Sequence, residues 1–157
     1  MARIVQAAMG KGQWSSYALS LRNFATYRLA QEFHSTARKT GSPVVRAYLL
    51  GHALELYLKS YLLKSGLTAS ALKKRNLGHN LDNLLLEAKA KGIEGLLRIS
   101  PQLSEDIAKL NALYPETLRY FSLLSLLAQP QLPSLVRLFR FAVSLNKTLG
   151  AHVAIKT

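Results

Sequence analysis

Arg46–Gly66 reads RAYLLGHALELYLKSYLLKSG, and this stretch decides the fold. Ala47, Leu50, Leu54, Tyr57 and Tyr61 recur at steps of three and four, the spacing of one helix face. Leu49, Ala53, Leu56 and Leu63 widen that face, so the helix is expected to be covered on most sides. One thin stripe stays polar: His52, Glu55 and Lys59 fall on a single line along the helix. Glu55 stands four residues before Lys59, the favourable order for an intrahelical ion pair. Ser42 and Pro43 are the N-cap and first helical residue, and Gly66 is the stop signal.

Working outward, the remaining elements read as helices laid against this one. The opening segment 1–13 is weak and is expected to break at Gly10 and Gly12. A first long helix is expected from Ser15 or Ser16 to Arg38, burying Trp14, Tyr17, Leu21, Phe24, Leu29 and Phe33, with Arg22, Gln31, Ser35 and Arg38 on its other side. After Gly66 comes a connector, Leu67 to Gly78, with one turn expected over Ser70–Arg75. Asn80 caps the next helix, Asp82 suits the positive end of its dipole, and Lys91-Gly92 ends it. Its apolar face is Leu81, Leu84, Leu85 and Ala88. A short turn over Ile93–Ile99 is followed by a helix capped at Ser100-Pro101 or Ser104, with Ile107, Leu110, Leu113 and Tyr114 inward. Pro115 kinks or restarts that helix, and Leu118–Ala128 continues it as an apolar segment. Pro130 and Pro133 bracket a break. The last helix is expected from Ser134 to about Leu149, burying Leu135, Leu138, Phe139, Ala142 and Leu145 and exposing Arg137, Arg140, Ser144 and Lys147. No segment alternates with period two. The expected fold is a single all-α domain over residues 1–157, an up-and-down-like bundle of five to six helices.

Composition narrows the function classes. The 157 residues hold no cysteine, which removes disulfide frameworks and thiolate metal sites. No apolar run reaches the roughly 18–20 residues of a membrane span, so a cytoplasmic protein is expected. The net charge is +13. Residues 1–81 carry 12 Lys and Arg against Glu32 and Glu55, whereas residues 82–157 carry 9 against 6 acids. Such a surface steers nucleic acid, nucleotides or anionic lipid toward itself, or serves solubility alone. Glycine spacing matches neither a dinucleotide fingerprint nor a phosphate loop, and no nucleophile elbow occurs. His34, His52, His79 and His152 are far apart with no carboxylate cluster, so neither a metal nor a cofactor is expected.

Several pieces in order carry a resemblance: Ala53-Leu54-Glu55-Leu56-Tyr57-Leu58-Lys59, then Leu62-Leu63-Lys64-Ser65-Gly66, then Gly78-His79-Asn80-Leu81, then Leu110-Asn111-Ala112-Leu113-Tyr114 leading to Arg119-Tyr120. Over Val44–Tyr120 the chain resembles the HEPN (higher eukaryote and prokaryote nucleotide-binding) domain. The resemblance implies a helical bundle, frequently dimeric, that binds nucleotides or RNA. Some members of that family are metal-independent ribonucleases of toxin–antitoxin or defence systems. Their catalytic Arg and His are separated by four to six residues, whereas Arg75 and His79 here have three between them.

The candidate binding residues are therefore Lys73, Lys74, Arg75, His79, Asn111, Tyr114, Arg119 and Tyr120, beside the polar stripe His52, Glu55 and Lys59. His79 either donates to a phosphate at a helix start or packs over the first turn. Glu55 and Lys59 either orient a ligand or bridge two helices. Tyr114 and Tyr120 either stack on a base or belong to the core. The leading expectation is RNA or nucleotide binding through a basic surface, with no firm catalytic set. One rival is a ribonuclease toxin using His79 and Arg75 or Arg119. A second rival is an interaction module that pairs through Phe121–Ala128. A homodimer, and a partner protein encoded nearby, are the expected associates.

Overall fold

A computed structural model describes residues 11–74, 76–114, 118 and 131–153, with side chains from residue 19 to residue 151 within those ranges. Six α-helices pack together, and no strand occurs among the described residues. They are α1 (Lys11–Lys39), α2 (Pro43–Lys64), α3 (Ala69–Leu72), α4 (Leu81–Ala90), α5 (Pro101–Leu113) and α6 (Leu135–Val153), with a short 3-10 turn at Ile93–Gly95. The all-α reading holds. No helix among the described residues is long and apolar enough to cross a membrane.

The central stretch becomes α2, and four helices cover it: α1 most extensively, then α6, α4 and α5. Ala47, Leu50, Leu54, Leu58 and Leu62 are buried along its length. Local chemistry sets its ends. The Ser42 side chain accepts from the Val45 N–H, and Pro43 occupies the first turn. At the other end Gly66 adopts φ +95°, so that its N–H bonds to the Leu63 carbonyl and the Leu67 N–H bonds to the Leu62 carbonyl. That pair of bonds is the Schellman stop, which needs a residue without Cβ strain in the left-handed region. Asn80 caps α4 through its side chain, as expected, Ser100 is the one of the two expected candidates that caps α5, and the turn before α4 falls at Ala69–Leu72.

Helix α1 departs from expectation in its start and its face. It already includes Lys11 and Gly12, ahead of the expected start at Ser15 or Ser16. Leu21 and Leu29, read as core, are 41% and 45% exposed. The buried line is Asn23, Tyr27, Ala30, His34 and Ala37, with Phe24 and Phe33 flanking it. Two members of that line are polar, which hides it from a reading based on apolar spacing. Burial is tolerated because each finds a partner on α2. The Ser60 hydroxyl donates to Asn23 Oδ1, and His34 Nδ1 lies 3.3 Å from the Tyr57 hydroxyl. Gln31, expected on the open side, is half-buried and donates to Tyr27 and to Asn146 of α6. The side chains of Trp14 and Tyr17 lie outside the described residues.

Helix α6 follows its expected stripe and adds Phe141 and Leu149 to it, while Leu135 and Phe139 pack only partly against the core. Asp106 of α5, buried at 4% exposure, accepts from the Ser134 N–H at the start of α6 and from Arg137 Nε. A carboxylate there satisfies an end-of-helix donor and opposes the positive end of the dipole. Apart from Leu118, which is fully buried, the expected apolar continuation to Ala128 lies outside the described residues, as do Pro115 and the opening segment 1–10.

Gly51 holds a close approach between α2 and the end of α5. A Cβ placed there would stand 2.7 Å from Cδ2 of the Tyr114 ring. Gly51→Ala is expected to destabilise the fold by about 1–2 kcal/mol, because the ring is walled in and shifts only with strain. In a Tyr114→Ala background the same change is expected to stabilise, since alanine is favoured over glycine inside a helix by about 0.5–1 kcal/mol. Urea denaturation of the four proteins checks that change of sign.

Candidate functional site

The polar stripe of α2 becomes the floor of a hydrogen-bonded centre. Glu55, 3% exposed, sits at its middle. Lys59 Nζ, one turn on, donates to Glu55 Oε1 at 2.6 Å and also to the Gly78 carbonyl. That second bond pins the connector to α2 and brings the next residue, His79, over the carboxylate. His79 Nδ1 lies 3.1 Å from both Glu55 oxygens. From the end of α5 the Tyr114 hydroxyl donates to Glu55 Oε2 at 2.6 Å. His52 Nδ1 is 2.7 Å from the same hydroxyl.

The proton positions follow from the inventory of donors. Burial works to raise the Glu55 carboxyl, but the adjacent Lys59 ammonium and the hydrogen bonds from Lys59, Tyr114 and His79 outweigh it and hold the group below its ordinary value. An ionised carboxylate only accepts, so the Tyr114 proton points to it and His79 presents Nδ1–H. With its one proton committed to Glu55, the phenol oxygen accepts from His52 Nδ1–H. The neutral His79 ring therefore carries its lone pair on Nε2. The His79 side chain is 45% exposed, against 4% for Glu55. A buried, ionised carboxylate thus orients a half-exposed imidazole through Nδ1.

Aromatic rings hold His52 in place. Phe33 of α1 stacks on it at 4.9 Å between centroids, and Tyr48 and Tyr114 meet it edge-on at 4.7 and 5.2 Å. In the sequence Phe33 reads only as part of the buried face of α1 and Tyr48 is not singled out; nothing in their spacing marks them as neighbours of a histidine.

The other candidates are placed less uniformly. Asn111, half-buried, accepts from the Leu81 N–H at 2.7 Å through Oδ1 and donates to Asp82 at 3.0 Å through Nδ2. It closes the first turn of α4 with both ends of its amide. Burial raises the Asp82 carboxyl and the Asn111 bond partly offsets this. Lys73 and Lys74 are exposed on the connector, and the Lys74 carbonyl accepts from the Leu77 and Gly78 N–H groups. Arg75, Arg119 and Tyr120 lie outside the described residues, as does the Phe121–Ala128 segment expected to pair with a second copy. Among the described residues no group of three or more His, Asp or Glu side chains is placed to hold a metal ion.

Comparisons of the chain with known protein families, with curated proteins and with solved structures find no match.

Proposed function

We propose that this chain is a HEPN-like helical domain that binds RNA or a nucleotide through a basic surface centred on His79. One observation carries the reading: Glu55, buried and ionised, fixes Nδ1 of a half-exposed imidazole whose other edge faces outward. The exposed Lys73 and Lys74 lie on the same connector, in a chain of net charge +13. Cations on the same connector as an oriented imidazole suit phosphates, and the resemblance over Val44–Tyr120 points to the same ligand class.

Binding of a single-stranded RNA, measured by gel shift across a salt series, tests the reading. Six to ten phosphate contacts would cost about 10³–10⁵ in affinity between about 50 and 200 mM salt. His79→Ala and the double change of Lys73 and Lys74 to alanine are each expected to weaken binding several-fold at low salt, with the helical circular dichroism retained. Salt-independent binding, or binding that ignores both variants, would sink the proposal.

The Glu55–His79 pairing also favours a second reading, a metal-independent ribonuclease. Nε2 of His79 would take the proton of a ribose 2′-hydroxyl, which attacks the adjacent phosphorus. The 5′-oxygen then leaves with a proton, and a 2′,3′-cyclic phosphate remains. Cleavage in the presence of chelator, lost in His79→Ala, is the result that reading requires. RNA that is bound and stays intact leaves the binding reading alone.

A further inference from the structure

The far flank of α2 carries a different cluster of cations. Tyr57 stands two residues after Glu55, about 200° around the helix, and faces α1 and α6 instead of the connector. Two adjoining cavities open there, of about 770 and 600 Å³, sharing Arg38 and Val143 in their walls. The larger is lined by Arg38, Arg46 and Arg140 together with Val136 and Phe139. The smaller continues past Lys39 to His34 and Tyr57. Among the described residues no carboxylate lines either one.

Three features of these walls point to a ligand. Arg46 is held by two bonds, Nε and Nη2 donating to the Thr40 carbonyl at 3.0 and 2.6 Å, which orient its guanidinium across the α1–α2 turn. Among the described residues Arg38, Arg46 and Arg140 pair with no carboxylate, whereas Arg137, one turn before Arg140, pairs with Asp106. Three guanidiniums without a described carboxylate partner around one cavity offer an anion charge-assisted, bidentate hydrogen bonds. Val136 and Val143 are 63% and 48% exposed among them, an apolar wall left open to solvent.

His34 supplies an independent sign. It is buried at 6% exposure, and among the described residues its Nε2 has no hydrogen-bond partner. The Tyr57 hydroxyl is its one described partner, and burial raises the Tyr57 phenol well above its ordinary value, so the phenol keeps its proton. In either tautomer of the ring, Nε2 is a buried polar nitrogen without a described partner, on a residue that lines the smaller cavity. A buried polar nitrogen left without a partner is unfavourable, and a ligand or a bound water that reaches it relieves that cost.

We infer that the cleft between α1, the start of α2 and α6 binds a small amphipathic organic phosphate, its anionic end held by Arg38, Arg46 and Arg140 and its apolar end against Val136, Val143 and Phe139. The site lies across α2 from His79 and goes beyond the RNA-binding reading.

Isothermal titration of the whole chain with phenyl phosphate, inorganic phosphate and phenol tests this. Phenyl phosphate is expected to bind with one-to-one stoichiometry, at least about tenfold more tightly than inorganic phosphate or phenol. Arg38→Gln and Arg140→Gln, both at exposed positions, are each expected to weaken it about tenfold, the worth of one charge-assisted hydrogen bond. His79→Ala is expected to leave it unchanged, so failure here and failure of the RNA reading are separable. On titration the His34 imidazole nitrogen resonances are expected to shift. No heat with phenyl phosphate at millimolar concentration overturns the proposal. So does equal affinity for inorganic phosphate, binding indifferent to both arginine variants, or a His34 signal that does not move.

Discussion

Glu55→Ala is expected to lower stability by about 3–5 kcal/mol, the loss seen when one partner of a buried ion pair is removed. Of its described bonds Lys59 would keep only the one to the Gly78 carbonyl, and the Tyr114 hydroxyl would lose its bond to the carboxylate. For a chain of this length the loss corresponds to a fall in Tm of roughly 6–20 °C. Helices α2 and α5 and the connector would all be affected, because each sends a donor to this one carboxylate.

The same carboxylate has a pH signature. Its folded pKa lies below its ordinary value, so its contribution is fully present above the unfolded carboxylate range, about pH 4.3. The contribution is lost as pH falls through the folded value. The stability gap between the native chain and Glu55→Gln, read by urea denaturation, is therefore expected to be widest near neutrality and to narrow in acid. A gap equally wide at both ends of the range would show that the carboxylate charge is not what stabilises the centre.

Tyr57→Ala is the second large effect, about 3–5 kcal/mol for removing a fully buried aromatic ring. The ring meets Tyr27 at 6.0 Å and His34 edge-on at 6.1 Å between centroids, so the void opens where α1 packs on α2. Tyr57→Phe separates volume from hydrogen bonding. It keeps the ring and removes the one described partner of His34, and is expected to cost about 1–2 kcal/mol. Differential scanning calorimetry of both variants reads the two parts. Equal losses would mean that the hydroxyl, and not the ring, carries the contact.

Misreadings cluster where polar residues are buried. Asn23 and His34 share the inner line of α1 with Tyr27, and the exposed Leu21 and Leu29 drew the apolar pattern to the wrong side. Their burial depends on Ser60 and Tyr57, which belong to another helix. Spacing within α1 carries no trace of those partners. The arginines of the α1–α6 cleft were equally silent. Arg38 and Arg140 read as solvated faces, and only the packing of α6 beside α1 sets them around one cavity.

By itself the sequence determined that this protein is helical, where α2 and α4 start, that α5 starts at Ser100-Pro101 or at Ser104, and which line of α2 stays polar. Those properties arise within a few residues: Ser42 with Pro43, Asn80, and Ser100 with Pro101 satisfy helix N–H groups beside them. Tertiary structure alone decided that the polar line faces His79, 24 residues on from Glu55, and Tyr114, 59 residues on. Meetings at that range depend on how α4 and α5 cross α2, which is set by side-chain packing and by the room that Gly51 leaves for a ring.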